Sequence, residues 1–537
     1  MATPGAGGAR GGTGPQDEGM DAVALLGLLV LGVVVLTPVA DRIGVPQPVV
    51  LTIYGLVLGV LPFIPAPDLA PELILPLVLP PLLFAATQST SVRELREAAK
   101  PILGLAVGLT LLTAAVVAVV GHALGLPWAV AVVLGGVVAP PDPVAASAVA
   151  SRLHLPPRLV TLLEGEGQFN DATALVVYQL SVMAVVAGGV TVAEVGTGLV
   201  VAVGGGIVIG LVGGWLARRA LGLLHDAATE TTVTLAVPFA LYLLAEHLGA
   251  SGVLAVLVAG LLLRVTLSRE VTSAGWLLGR SVWRYVEFAV SGLLFAFLGV
   301  ELTSVLGTTE LLDDARTLQV AGAVVAVLVL LRAAAMFTAS ALSGRRARRT
   351  GSATPYGWRE SAVASWAGMR GVVTVATALA LPEAVDGGGP FPAREEVVLV
   401  SLLVVLVTLV LQGLTLAPLI RRLGVASEAD VGADARRLHR VVTEAALEHL
   451  SGVTGVDEDA RRAVVQQYES RLAYRRQVED VVGGPAGAGE QLRELLAQAA
   501  EAEREAVLEA RRRGVVSPAA ADQVLFDVEA RALRYET

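Results

Sequence analysis

Residues 131–150 read AVVLGGVVAPPDPVAASAVA, with Asp142 set among Pro140, Pro141 and Pro143 in the middle of an otherwise apolar run. A proline has no N–H to donate and its ring clashes with the preceding turn, so the helical ladder fails here and nearby carbonyls lose their partners. Irregular backbone at membrane depth is tolerated only where it is packed in protein or lines an aqueous cavity. A carboxylate beside freed carbonyls is a natural site for a hard cation. The competing reading is a proline kink in which Asp142 caps a helix near an interface.

The apolar context extends in both directions from this break. The chain has 537 residues, of which 54% are hydrophobic and 16% charged, with a mean hydropathy of +0.70, too apolar for an ordinary soluble core. Apolar runs of about 20 residues, the length of a helix across a hydrocarbon core, fall near 22–40, 47–63, 71–87, 101–121, 127–150, 159–188, 193–217, 231–248, 252–268, 283–305, 318–342, 360–382 and 396–420. The expectation is an all-α polytopic membrane protein of about thirteen spans. A membrane β-barrel would show ten-residue alternation and aromatic girdles, and aromatics are only 4% of this chain.

Arginines order the spans. Arg42; Arg93, Arg96 and Lys100; Arg152 and Arg158; Arg218 and Arg219; Arg264, Arg269, Arg280 and Arg284; the run RRARR at 345–349; and Arg421 and Arg422 occupy every second connection. Because cytoplasmic loops retain positive charge, the N-terminus is expected outside and the C-terminus in the cytoplasm of a plasma-membrane protein. Residues 1–21 are Gly-rich without a signal peptide's apolar core, and read as a disordered extracytoplasmic tail. Residues 22–422 form the membrane domain. Residues 423–537 change to Arg, Glu and Ala with helical periodicity, as in QLRELLAQAAEAEREAVLEARRRG at 491–514, and read as a soluble cytoplasmic helical tail. The net charge of -9 lies largely in that last part and suggests no nucleic-acid partner. Cysteine is absent, and the six histidines lack metal-site spacing, so no thiolate chemistry and no resident metal or cofactor is expected.

A second polar cluster opens the sixth span, LLEGEGQFNDATALVVY at 162–178. Glu166 and Asn170 share a helical face and Asp171 lies about 100° further round. Ionisable groups inside a span mark ion or proton pathways. Glu164 sits nearer the inner end and reads as interfacial. Arg332 in VAVLVLLRAAAMF and Arg370 in SWAGMRGVVTVATALALP are positive charges deep in the second half. Arg332 needs a carboxylate partner, and Glu166 is the candidate. Arg370 lies between Gly368 and Gly371 in the counterpart of the broken fifth span, where it is expected to neutralise exposed carbonyl ends. Thirteen spans divide into two six-helix units about one linking helix, the arrangement of inverted-repeat transporters.

EGEGQFNDATALVVY at 164–178, PPDPVA at 140–145, FLGVEL at 297–302 and SWAGMRGVVTVATALALP at 365–382 together resemble the monovalent cation/proton antiporters of the CPA1 group, most closely the bacterial branch with a long cytoplasmic tail. The resemblance covers roughly residues 22–422. It implies a homodimeric antiporter fold with a dimerisation domain beside a mobile core containing two crossing broken helices. By the same resemblance, Asp171 is the carboxylate that binds cation or proton and Asn170 its helix-stabilising neighbour. Asp142 is a second acidic element of the cation site, Glu166 and Arg332 an intramembrane ion pair, and Arg370 the arginine of the other broken helix. Three positions depart from the pattern. Pro141 stands where many members have Thr, Gly167 where many have Ser, and Ala85 where some place a carboxylate. Ion preference inherited from relatives is therefore weakened.

The expected activity is antiport, not enzymatic catalysis: Asp171 holds either a proton or a dehydrated monovalent cation, and the core moves when one is bound. Oxygen ligands suit sodium, potassium or lithium, and one switching carboxylate suggests one-for-one electroneutral exchange serving pH and cation homeostasis. The competing functions are a cation channel, an intramembrane hydrolase and a transport-derived sensor whose tail binds a regulatory ligand or partner. The hydrolase lacks a nucleophile–base pair.

Overall fold

The computed structural model describes residues 15–61, 71–89, 99–142, 153, 155–189, 191–308, 315–350, 357–425, 431–453, 457–482, 488–513, 524, 527 and 528. The chain separates into two units, Met1–Ser427 and Glu428–Thr537.

In the first unit every apolar run of the sequence is matched by a helix or by two. These are α1 (Pro15–Ile43), α2 (Gln47–Gly59), α3 (Pro71–Ser89), α4 (Ala99–Ala123), α5 (Trp128–Val138), α6 (Pro157–Val186), α7 (residues 192–221), α8 (Ala227–His247), α9 (Gly252–Glu270), α10 (Ser273–Thr308), α11 (Ala315–Thr350), α12 (Trp358–Trp366), α13 (Val372–Leu379) and α14 (Arg394–Leu423). Nine of the described helices are long and apolar enough to cross a bilayer, and Gln47–Gly59, Trp128–Val138 and Gly252–Thr266 are shorter apolar helices. Helix α1 begins at Pro15 and not at residue 22, consistent with proline at the first helical position. The expected tail is therefore helical from residue 15, and residues 1–14 lie outside the described part. So do Pro143, His154, Arg93, Arg96 and Arg152.

Helices α4 and α7 each contain a π-helical segment, Gly104–Leu109 and Val201–Gly205. Both lie at glycine-bearing stretches, where the wider turn meets little side-chain crowding.

Packing sorts the first unit into two groups. Helices α1–α3 pack with α8–α10, and α7 with α8 and α9. Helices α4–α6 pack with one another and with α11–α14. The groups meet where α3 and α10 touch α13, where α2 and α10 touch α14, and where α3, α7 and α9 touch α6. Small residues let the backbones approach, as membrane helices require when burying apolar surface from lipid gains nothing. A Cβ on Gly136 would lie 3.1 Å from the Tyr178 amide, bringing α5 onto α6, and Gly299 meets the backbone of α2 at Thr52 and Leu56. The outward faces are apolar: on α1, Leu25, Leu29 and Val33 are buried while Leu26, Val30 and Val34 are exposed. Each such side chain left in water forgoes about 1.5–3 kcal/mol of transfer free energy, so the surface belongs against lipid.

The second unit contains α15 (Val431–Gly452), α16 (Glu458–Val482) and α17 (Ala488–Arg512), with α15 packed on α16 and α16 on α17. Exposed ion pairs three or four residues apart, among them Arg461–Glu458 and Arg513–Glu509, stud these helices.

Candidate functional site

The fifth and twelfth apolar runs are the two that fail to form one continuous helix. Helix α5 stops at Val138, and Pro140 and Pro141 offer no N–H to continue it. The twelfth run divides into α12 and α13 about Ala367–Gly371. The two breaks are bonded to each other. The Asp142 amide donates to the Met369 carbonyl at 2.7 Å, and the Val372 amide donates to Asp142 Oδ2 at 3.2 Å. The carboxylate thus caps the first turn of α13 from another element, where the helix dipole favours negative charge. Gly371 is required by this approach, because a Cβ there would overlap the Asp142 carboxylate. The Arg370 amide is held from the other side by Thr408 Oγ1 of α14, at 3.1 Å.

Helix α6 runs past this junction. Asn170 is fully buried and its Nδ2 donates to the Pro141 carbonyl at 3.0 Å, occupying an acceptor that the proline break set free. Its Oδ1 is buried without a hydrogen-bond partner, as is Thr374 Oγ1 on α13. One residue on, Asp171 is 7% exposed and makes no hydrogen bond or ion pair with another described residue. Asp142 and Arg370 are the charges acting on it. One turn earlier, Glu166 forms a two-pronged pair with Arg332 of α11: Oε1 to Nη1 at 2.6 Å and Oε2 to Nη2 at 2.9 Å. Both residues are buried.

Arg332 Nε also donates to the Ala364 carbonyl at 3.1 Å, and Gly368 leaves room for its side chain, since a Cβ there would overlap Arg332 Cδ. Arg332 is therefore the arginine that serves a carbonyl near the end of α12, the task expected of Arg370. Arg370 is buried as well, and its Nε and Nη1 have no hydrogen-bond partner among the described residues. Its charge faces Asp171 and Glu166, with Arg332 opposing.

The structure thus brings together Asp142, Asn170, Asp171, Glu166, Arg332, Arg370, Pro140 and Pro141, and Pro143 falls outside the described residues. Sequence reasoning missed Thr408, Thr374 and Glu287. Threonines in apolar spans carry no distinguishing signal. Glu287 did carry one, being an acid inside the tenth span. A cavity of about 1150 Å³ lies nearby between α4, α6, α11 and α12, reaching Ala364 but not Asp171.

A family model described as the transmembrane sodium/hydrogen exchanger matches residues 28–422. An uncharacterized Na(+)/H(+) exchanger of Mycobacterium tuberculosis is 32% identical over 82% of this chain and 83% of its own length. A sodium, potassium, lithium and rubidium/H(+) antiporter of Bacillus pumilus is 28% identical over 80% of this chain and 66% of its own. Among solved structures, the sodium proton antiporter MjNhaP1 of Methanocaldococcus jannaschii superposes with a TM-score of 0.60 at 22% identity, covering 76% of this chain and 99% of that one. At that identity it speaks for the fold alone.

Proposed function

The chain belongs to the sodium/hydrogen exchanger family and is a multi-pass membrane cation/proton antiporter, and from that premise we propose that Asp171 is the carboxylate on which cation and proton compete. One observation carries this reading: Asp171 is a buried acid with no partner among the described residues, whereas the other two acids at the helix breaks, Glu166 and Asp142, are already engaged. Glu166 is matched by Arg332, and Asp142 holds the α13 amide. Asp171 is the acid left to bind something.

Charge balance supports one-for-one exchange. The Glu166–Arg332 pair cancels internally. Asp142, Asp171 and Arg370 then sum to one negative charge, which a single proton or a single monovalent cation neutralises. A buried site is most readily carried through the protein when neutral, since an uncompensated buried charge is strongly disfavoured. Binding of either ion therefore licenses movement and emptiness forbids it. The Asp171 carboxylate and the unfilled Asn170 Oδ1 are oxygen donors, which select hard cations. Sodium is the proposed substrate, with potassium or lithium as further candidates, in line with the name of the Bacillus relative. The alternation of arginines supports an N-terminus outside and a C-terminus in the cytoplasm of the plasma membrane, and the proposal takes the chain as a homodimer with residues 423–537 as a cytoplasmic tail.

The test is dissipation of a pH gradient in inverted vesicles on adding sodium, potassium or lithium separately. Wild type responds to at least one cation and Asp171→Asn to none. Equal responses from wild type and Asp171→Asn would remove Asp171 from the mechanism. A reversal potential that follows membrane voltage in proteoliposomes would contradict electroneutrality.

A further inference from the structure

Helix α10 carries a second acid at depth, Glu287, which has no hydrogen bond or ion pair with another described residue. It is half-buried, with one side open to solvent or lipid. One turn further along α10, Ser291 is 6% exposed and its Oγ is buried without a hydrogen-bond partner. Residues four apart lie on one helical face, so an acid and a buried, unfilled hydroxyl leave α10 on the same face. The face is fixed in place: Trp283, one turn before Glu287, packs against Phe84 of α3 with ring centroids 4.6 Å apart, and its Nε1 donates to Thr234 Oγ1 of α8 at 3.3 Å. Helix α10 also packs directly on α13, the helix whose first turn Asp142 caps. The charge that acts on Glu287 among the described residues is accordingly that of Asp142.

Two carboxylates within electrostatic reach, one on α10 and one at the break that follows α5, repel each other unless a cation lies near both. A buried hydroxyl without a partner is a cost that a ligand would remove. We propose that Glu287 and Ser291 form a staging site for the transported monovalent cation, at the seam between the packing groups, from which it passes to Asp171. The site takes a hard cation through carboxylate and hydroxyl oxygens. Because Glu287 is half-exposed where Asp171 is buried, it receives the ion while still partly hydrated and raises its local concentration before dehydration. This inference rests on the antiport reading, in which Asp171 is the site of exchange.

The experiment uses the full-length protein in proteoliposomes, with sodium-dependent proton flux measured against sodium concentration for wild type, Glu287→Gln, Glu287→Asp, Ser291→Ala and Asp171→Asn. Glu287→Gln is expected to raise the half-saturating sodium concentration about tenfold while the maximal rate falls less than about threefold. The difference from wild type shrinks as inert salt is added, because a partly exposed charge is screened. Glu287→Asp restores most of the affinity, and Ser291→Ala shifts half-saturation in the same direction by a smaller factor. A Glu287→Gln protein with wild-type half-saturation overturns the staging site, as does one that loses turnover at saturating sodium. Should Glu287→Gln not accumulate, wild-type half-saturation in Ser291→Ala overturns it equally. If wild type shows no cation-dependent flux, the antiport reading itself fails. If wild type exchanges and Asp171→Asn does not, that reading stands whatever Glu287 does.

Discussion

Glu166 and Arg332 meet at 2.6 Å with 2% and 4% of their surfaces exposed, and the consequence is asymmetric. Two charges removed from water gain little net stability together, but taking away one leaves the other buried and unpaired. Glu166→Gln is therefore expected to destabilise the fold by about 3–5 kcal/mol, read as a lowered thermal midpoint of the detergent-solubilised protein. Replacing both residues, Glu166→Leu with Arg332→Met, recovers most of that loss. Gly371→Ala is predicted to abolish transport through a different cause. Its Cβ would occupy the space of the Asp142 carboxylate, so Asp142 must leave the α13 amide or the break must open. Proton flux in vesicles checks this, with Gly322→Ala, whose Cβ would meet nothing within 4 Å, as the control. At this scale the sequence disclosed depth and charge. An arginine in an apolar run demands a partner, which pointed to Glu166 and Arg332. It gave no direction, so Arg370 was assigned the carbonyl end that Arg332 Nε serves.

Among the elements, the broken ones were the most legible, because proline leaves an unambiguous mark. Pro140 and Pro141 end α5, and Gly368 and Gly371 flank the gap between α12 and α13. What the chain did not reveal is that one break caps the other, since Asp142 and Val372 are 230 positions apart. Helix ends were read less well. Helix α10 spans Ser273–Thr308 where hydropathy marked 283–305, because hydropathy registers contact with lipid and a helix continues through charged residues beyond it. The start of α8 offers a pH test. Asp226 accepts from the Thr229 amide at 2.9 Å and from its hydroxyl at 2.8 Å. The backbone hydrogen bond first, then the hydroxyl, hold its carboxyl below the usual aspartate range. A group whose folded value is depressed stabilises fully above the unfolded value, and that contribution is lost as pH falls through about 4 and below. Asp226→Ala should lower the thermal midpoint at pH 7 and change it less at pH 3.

For the whole molecule, separation into Met1–Ser427 and Glu428–Thr537 leads to a clear expectation. A chain ending at Ser427 should insert, fold and catalyse sodium-dependent proton flux, with any change confined to its pH response. Loss of folding on truncation would show that the last 110 residues, 428–537, are integral to the membrane unit. The proposed homodimer is tested by the mass of the solubilised particle, expected at twice the 55.2 kDa chain plus detergent. The sequence by itself determined the solvent of this protein, the places where its helices break and which acids lie at depth. Each of those is a local quantity: hydropathy over one run, a missing amide, a charge at a depth. Only the tertiary structure decided which acid remains unengaged. Asp142, Glu166 and Asp171 are all carboxylates in apolar surroundings, and they differ in what distant segments bring to them. Asp142 meets an amide, Glu166 meets a guanidinium, and Asp171 meets no partner among the described residues. Partners supplied by elements far apart in sequence are fixed by packing, which no local pattern encodes.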